Sequence, residues 1–409
     1  MVPKVMHINC AVSGSTGKII SDIADHAGRE YEMLLCAPGG PGTNKNIRYF
    51  RTSFAREQGI YRRLNYLYGF QYGFAPISTA KIKGLIKKEK PDIVHLHCTN
   101  GFMVNIYSLL HQLKKQRIPT VITNHAEFFY SGGCPYTYDC DRWQIGCGKC
   151  PQVYMATGGK LRDTSAVAWR RMKKALSGLE RAMMVSVSPW VRERAAQSPV
   201  TVELSQQVIL NGVNTNVFAW RDSVQLREKY GFPENAKIVF HPTASFSESE
   251  SDRKGGRFVI ELARRLADQN VFFLVAGKHA KGLDVPPNMV LLGQISNQVE
   301  LAEYYALADI TVVAGKRETF NMPVAESLCC GTPVVGFRAG GPESIAIEGY
   351  GRFLPYGDTD ELTEQVKQLL QQNYDKREIA GRAKKIYAAE IMAKRYLEVY
   401  QQLLTGREA

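Results

Sequence analysis

Residues 308–344 read ADITVVAGKRETFNMPVAESLCCGTPVVGFRAGGPES, and this segment decides the fold. It holds two apolar runs, ITVV and PVVGF, and between them Glu318 and Glu326 stand with seven residues intervening. TFNMP reads as a loop turning into a helix with Pro323 in its first turn, where a missing N–H costs nothing. Backbone N–H groups near Phe320, Asn321 and Met322 would then point at an incoming phosphate, with the helix dipole behind them. Glu326, read into the first turn of that helix, could accept hydrogen bonds from a ribose diol, and Glu318, in the loop before it, could reach sugar hydroxyls. Gly331-Thr332-Pro333 returns the chain to a strand.

Outward from this segment, apolar runs alternate with helical patterns, the arrangement that builds parallel sheets with crossover helices. In the first half the strands are KVMHIN, EMLLCA, DIVHLH, TVITNH and MMVSVS, with helical patterns at 19–27, 77–89, 107–115 and 165–179. In the second they are KIVFHP, VFFLVAG, MVLLG, ITVVAG and TPVVGF, with helices at 257–267, 298–307, 324–330 and 360–372. Residues 198–218 read as the linker, and a final helical stretch, 376–404, is expected to cross back to the first half. A chain of 409 residues is too long for one compact core and suits two domains. The fold class is therefore α/β, two Rossmann-like doubly wound domains facing a central cleft, with ligands at the carboxyl ends of the strands.

The net charge of +13 is unevenly placed: residues 1–200 hold 28 lysines and arginines against 13 acids, and residues 201–409 hold 24 against 26. A basic half can attract nucleic acid, anionic lipid or phosphorylated substrates. No recognition-helix or RNP-like motif accompanies the charge, so nucleic acid is not an expected partner. Residues 51–90 interleave basic and aromatic side chains, a composition suited either to an acidic membrane surface or to a core helix with a solvated basic face. The amino-terminal MVPKVMHINC reads as a strand, and no run of about 18 apolar residues occurs. The expectation is a cytoplasmic protein, peripheral at the inner face of the plasma membrane.

AVSGSTGKII, residues 11–20, contains the tail of a P-loop. Val12 stands where the first glycine is required and Ile19 where the metal-binding hydroxyl is, so the template fails. A strand-to-helix turn remains, with Gly14 and Gly17 as candidate contacts for a substrate phosphate or the acceptor.

The Glu-x7-Glu pair, CGTPVV and GGPES, together with KPDIVHLH and NGVNTNVF, resemble the retaining GT-B-fold glycosyltransferases of family 4, and the resemblance spans nearly the whole chain. It implies an acceptor-binding domain at 1–200 with a Cys-rich insert at 131–151, a nucleotide-sugar-binding domain at 201–385, and a carboxyl-terminal helix at 386–409 packing back on the first. Carried over, it places Glu326 on the ribose, and Glu318 with the following amides on the donor sugar and β-phosphate. Arg253 and Lys254 of SDRKGG match the basic residues that offset charge on the leaving diphosphate, so no metal cofactor is required. His125, at the end of VITNH, matches a histidine facing the donor sugar. Two positions depart from the pattern: Ala244-Ser245 stand where the family often has Gly-Arg, and Asn321 where it has glycine.

CPYTYDCDRWQIGCGKCP places Cys134, Cys140, Cys147 and Cys150 within 17 residues. Structural zinc, free thiols or disulfides, and an iron–sulfur cluster are all compatible with this spacing. A similar insert occurs in glycosyltransferases of the colanic-acid and exopolysaccharide type. The expected activity is transfer of a sugar from a nucleotide-diphosphate sugar, a UDP- or GDP-sugar, to a glycan or polyprenyl-pyrophosphate-linked acceptor in bacterial polysaccharide synthesis. The alternatives are a soluble-acceptor transferase, a sugar-nucleotide epimerase, or a non-catalytic nucleotide-sugar binder.

Overall fold

The computed structural model describes residues 2–39 and 42–406. It divides into two units, one of residues up to Leu210 together with those from Met392 onward, the other Asn211–Ile391. The observed boundary thus falls at 210/211, and residues 386–391 of the expected carboxyl-terminal element belong to the second unit. The last three residues of that element lie outside the described ones.

In the first unit seven parallel strands form one sheet: β1 (Lys4–Ile8), β2 (Glu32–Ala37), β3 (Ile47–Arg51), β4 (Ile93–Leu96), β5 (Thr120–Asn124), β6 (Ala182–Ser186) and β7 (Ser205–Val208). Their order is β3-β2-β1-β4-β5-β6-β7. The central strands are buried, as continuous apolar runs in a parallel sheet must be when helices cover both faces. Part of the expected linker is β7, which pairs with β6 from Met183↔Ser205 to Ser186↔Val208.

The final helical stretch is two helices, Lys376–Tyr387 and Ala389–Thr405. They break at Ala388, where Val213 inserts: its N–H donates to Tyr387 O at 2.7 Å and its carbonyl accepts from Ala389 N–H at 3.0 Å. From Met392 on, the last helix buries Tyr396, Val399 and Tyr400 against Val5, Ile23, Ile93 and Val121.

The second unit has six parallel strands: β8 (Lys237–Phe246), β9 (Val271–His279), β10 (Met289–Gly293), β11 (Ile310–Val313), β12 (Val334–Phe337) and β13 (Gly351–Leu354), in the order β10-β9-β8-β11-β12-β13. Both sheets start in the middle, build outward to one edge, then return to the other side of the first strand. The reversals fall between β1 and β4 and between β8 and β11, where the loops leaving adjacent strands diverge and open a ligand crevice.

Candidate functional site

In the second unit three loops meet at the carboxyl ends of β8, β11 and β12. The turn containing Arg253 and Lys254 is shaped by Asp252, whose carboxylate accepts from Lys254 N–H at 2.9 Å and Gly256 N–H at 3.3 Å. Gly255 (φ +76°) lies so close to the end of β11 that an added Cβ would stand 2.1 Å from Ala314 O. Arg253 O accepts from Lys316 N–H at 3.0 Å, which ties the two loops by backbone. Across them, Lys254 Nζ donates to Glu318 Oε1 at 2.6 Å. Glu318 is held in turn by the loop after β12: its N–H donates to Ala339 O at 3.0 Å, and its carbonyl accepts from Gly341 N–H at 2.8 Å. GGPE is itself fixed by Glu343, whose carboxylate accepts from the N–H groups of Ala339 (3.0 Å) and Gly340 (2.8 Å).

The helix after this loop is Met322–Cys329, with Pro323 in its first turn and Asn321 as N-cap. Asn321 sits at φ +77°, a backbone region that asparagine tolerates better than most residues, and its Oδ1 accepts from Val324 N–H at 3.3 Å. This accounts for asparagine where a glycine was expected. Ala244 and Ser245, the other departure, are exposed at a register shift in β8.

Glu326 lies in the second turn of this helix, not the first. Tyr305, fully buried on the helix Gln298–Leu307, donates its hydroxyl to Glu326 Oε2 at 2.9 Å and so sets the carboxylate's rotamer. CGTP supports this pair from below. Gly331 (φ +85°) accepts the close approach of Lys376 O, 2.3 Å from where a Cβ would stand. Thr332 Oγ1 donates to Tyr305 O at 2.6 Å, and Ser327 Oγ donates to Thr311 Oγ1 at 2.7 Å. Burial lowers the Lys376 ammonium to about 8, and it caps the same helix end through Ala306 O (2.8 Å) and Ala308 O (2.6 Å). Tyr305 and Lys376 were missed in the sequence because neither lies in a motif.

In the first unit Asn9 is buried across the strand reversal. Its Oδ1 accepts from Cys98 N–H (3.2 Å) and its Nδ2 donates to Ala11 O (2.7 Å) and Thr16 Oγ1 (3.0 Å). Gly14 (φ +79°) opens the exposed start of the helix Gly14–Ala27. Gly17 is buried, and a Cβ there would stand 2.5 Å from Val12 O, so its missing side chain serves packing. Lys18 pairs with Asp22 at 3.0 Å.

His125 ends a chain of imidazoles: His7 Nδ1 lies 3.0 Å from His97 Nε2, and His97 Nδ1 lies 3.1 Å from His125 Nε2. His7 Nε2 is buried without a partner. A buried orphan N–H is the rarer and costlier arrangement, so the chain runs with His7 donating to His97 and His97 to His125, which places the proton of His125 on Nδ1. His95 stacks on His97 with ring centroids 3.8 Å apart, its own nitrogens engaged by Tyr400 (2.7 Å) and Thr123 (2.8 Å). Beside His125, the buried Glu127 accepts from Tyr130 at 2.9 Å and lies 3.6 Å from Arg194 Nε.

Burial depresses all four of these histidines, His7 to about 3 and His125 to about 4, with His95 and His97 also well below the usual imidazole range. They are neutral at pH 7 in both folded and unfolded states. Below about 6.5 the unfolded chain takes up protons that the folded chain refuses, so stability is full above that pH and falls as pH drops toward 4, by about 1.4 kcal/mol per pH unit for each histidine. The second unit has one such histidine, His241, lowered to about 4 by burial. Hydrogen-exchange protection between pH 6.5 and 5 should therefore fall more steeply in the first unit; equal losses in both would contradict this account.

The four cysteines of the insert line one small cavity with Trp143 and Gln152. No disulfide joins any of the nine cysteines.

Comparison with known proteins agrees with both sheets. Residues 17–217 match the family described as Glycosyltransferase Family 4, and residues 224–386 match Glycosyl transferases group 1. Among curated proteins, N-acetyl-alpha-D-glucosaminyl L-malate synthase of Bacillus anthracis is 25% identical over 207 residues, covering 48% of this chain and 52% of that protein. D-inositol 3-phosphate glycosyltransferase of Mycobacteroides abscessus is 28% identical over 268 residues, 60% of this chain and 58% of that one. The chain thus spans little more than half the length of these relatives. WcaC of Escherichia coli K12, named for colanic acid biosynthesis, is 22% identical, with 76% of this chain and 77% of that protein covered. Among solved structures, sucrose-phosphate synthase from Thermosynechococcus elongatus superposes with a TM-score of 0.70 at 17% identity, covering 99% of this chain and all of that one. Anabaena HepE, solved in complex with UDP, gives 0.69 at 16% identity, with 98% and 100% covered.

Proposed function

Because the chain belongs to the GT-B glycosyltransferases, a family 4 domain followed by a group 1 domain, we propose that it moves a sugar from a nucleotide-diphosphate sugar to a glycan acceptor. The observation that carries this reading is the Lys254–Glu318 pair at the strand reversal of the second unit, with Glu326 held by Tyr305 on the helix that follows the Glu318 loop. In this assignment Glu326 takes the ribose diol, Glu318 and the amides of Phe320 and Met322 take the donor sugar and β-phosphate, and Arg253 and Lys254 offset the charge that grows on the departing diphosphate. The ammonium and guanidinium supply that charge, which suits a metal-independent transfer; retention of configuration is proposed from the family resemblance. His125, neutral at pH 7, serves as a hydrogen-bond partner for a sugar hydroxyl and not as a proton donor. A UDP- or GDP-sugar is the proposed donor; HepE was solved with UDP and with UDP-glucose.

For the acceptor we propose a lipid-linked glycan in polysaccharide synthesis, with the enzyme resting on the cytoplasmic membrane face. No described helix is long and apolar enough to cross a membrane. The helix Ala55–Tyr68 nevertheless exposes Ile60, Leu64, Leu67 and Tyr68 beside Arg62 and Arg63, and buries only Tyr61 and Asn65. Apolar side chains among arginines suit an anionic lipid surface. A soluble acceptor is the second reading, favoured by the malate and inositol phosphate named in two relatives.

The test is calorimetric titration with UDP, GDP, dTDP and ADP, using Glu326→Ala as the comparison. One nucleotide should bind, and loss of charged hydrogen bonds worth about 1.5–3 kcal/mol should weaken it about 10- to 100-fold in the variant. Turnover with that nucleotide's sugars on lipid-linked against soluble acceptors then separates the two readings. Absence of binding by every nucleotide would overturn the donor site.

A further inference from the structure

The insert at 131–151 carries almost no regular structure beyond the single turn Arg142–Gln144, yet it buries Trp143 and Cys134. Its backbone takes positive φ at Gly132, Gly133, Tyr138, Gly146, Gly148 and Lys149, and two of these are not glycine. Left-handed backbone at a residue with a side chain costs roughly 1–2 kcal/mol, so such a loop needs something to over-determine it. Among the hydrogen bonds that hold it, Gln152 Nε2 donates to Cys134 Sγ at 3.1 Å and to Tyr136 O at 2.8 Å, and Cys150 N–H donates to Asp163 at 2.7 Å.

We propose that Cys134, Cys140, Cys147 and Cys150 bind one structural zinc ion that pins this insert. All four side chains line a single cavity of about 30 Å³ whose other walls are mostly apolar. That volume admits one ion. Cys147 and Cys150 lie in a knuckle-like run, Gly-Cys-Gly-Lys-Cys, with positive φ at Gly146, Gly148 and Lys149. A tetrahedral site with bonds of about 2.3 Å sets sulfurs about 3.8 Å apart. Zinc capture draws the thiols inward to that spacing. Four S–H bonds break, four Zn–S bonds form, and four protons pass to solvent, with no oxidant or reductant required. Because the ligand is the thiolate, metal uptake weakens as pH falls.

Among the described residues, the trio whose ligand atoms already lie within 4.8 Å of one another is His7, His95 and His97. Apart from His7 Nε2, those nitrogens are engaged with each other and with Tyr400 and Thr123, as described above, and His97 also serves His125. The trio is a hydrogen-bonded stack, and the thiols are the metal site.

The experiment is elemental analysis of the full chain purified without chelator, with Cys147→Ser/Cys150→Ser and His97→Gln alongside. One zinc per chain is expected, retained in the histidine variant and lost in the cysteine pair. Because the cysteine pair could misfold, the wild-type chain is also reconstituted with Co²⁺, which should give the thiolate-to-cobalt absorption of four sulfur ligands in a tetrahedral field. Metal-free protein, zinc lost with His97, iron with visible sulfide-to-iron absorption, or cobalt bands lacking thiolate character would each overturn the proposal.

Discussion

Lys254→Met is expected to lower kcat by about 10²- to 10³-fold while leaving the folded protein nearly as stable as before. The two halves of that expectation have different origins. The ion pair with Glu318 is partly exposed, 39% at the lysine and 18% at the carboxylate, and pairs open to solvent contribute about 0–1 kcal/mol to folding. Under the proposed assignment, however, the same ammonium faces a diphosphate whose charge grows as the glycosidic bond breaks, and one preorganised donor to such a charge is worth about 10²–10³ in rate. Lys254→Arg, which keeps the charge on a different fork, should recover part of the loss. Steady-state kinetics beside a thermal melt separates the effects. A fall in kcat of less than 10-fold, or a rate loss that merely tracks lost stability, would remove Lys254 from the leaving-group assignment.

The second large effect is structural. Gly255→Ala places a Cβ 2.1 Å from Ala314 O on backbone already at φ +76°, so neither side chain nor strand can yield cheaply. Strain of this kind should cost about 3 kcal/mol or more, which for a unit of this size shifts Tm by roughly 6–12 °C. The Arg253–Lys254 turn must also pull away from β11, so nucleotide affinity falls with stability. Gly381→Ala is the control. It lies exposed on the helix Lys376–Tyr387 with nothing near its added methyl, and replacing glycine with alanine there should stabilise by about 0.5–1 kcal/mol. Equal melting temperatures for the two variants would show that the close approach of Gly255 does not hold in solution.

What could be read from the sequence follows burial. Every strand from the middle of either sheet appears as an apolar run, because helices cover both faces. The three strands missed, β3, β7 and β13, all lie at sheet edges, where IRYFR, SQQV and GRFL need bury only part of their surface and so carry charge and amide. The break at Ala388 left no signal either, since no proline or glycine marks it and its cause, the insertion of Val213, lies far away in sequence. At the candidate site, Glu318 and Glu326 were visible from their spacing around Pro323, and Lys254 only from the family resemblance of SDRKGG. Their partners were not. Tyr305 and the imidazoles behind His125 carry no motif, and only folding shows that the hydroxyl of Tyr305 reaches Glu326 in the second unit and that His97 reaches His125 in the first.

The return of the last helix to the first sheet sets an order of events during synthesis. Met392, Tyr396, Val399 and Tyr400 cover apolar side chains of β1, β4 and β5 that were translated some 270 residues or more earlier. Until the carboxyl terminus leaves the ribosome, that face of the nascent first unit is bare and exposed to chaperones or to other chains. The second unit, drawn from one unbroken stretch of chain, has every residue it needs sooner. A stop codon just before Met392 would therefore damage the unit made earlier and spare the unit made after it.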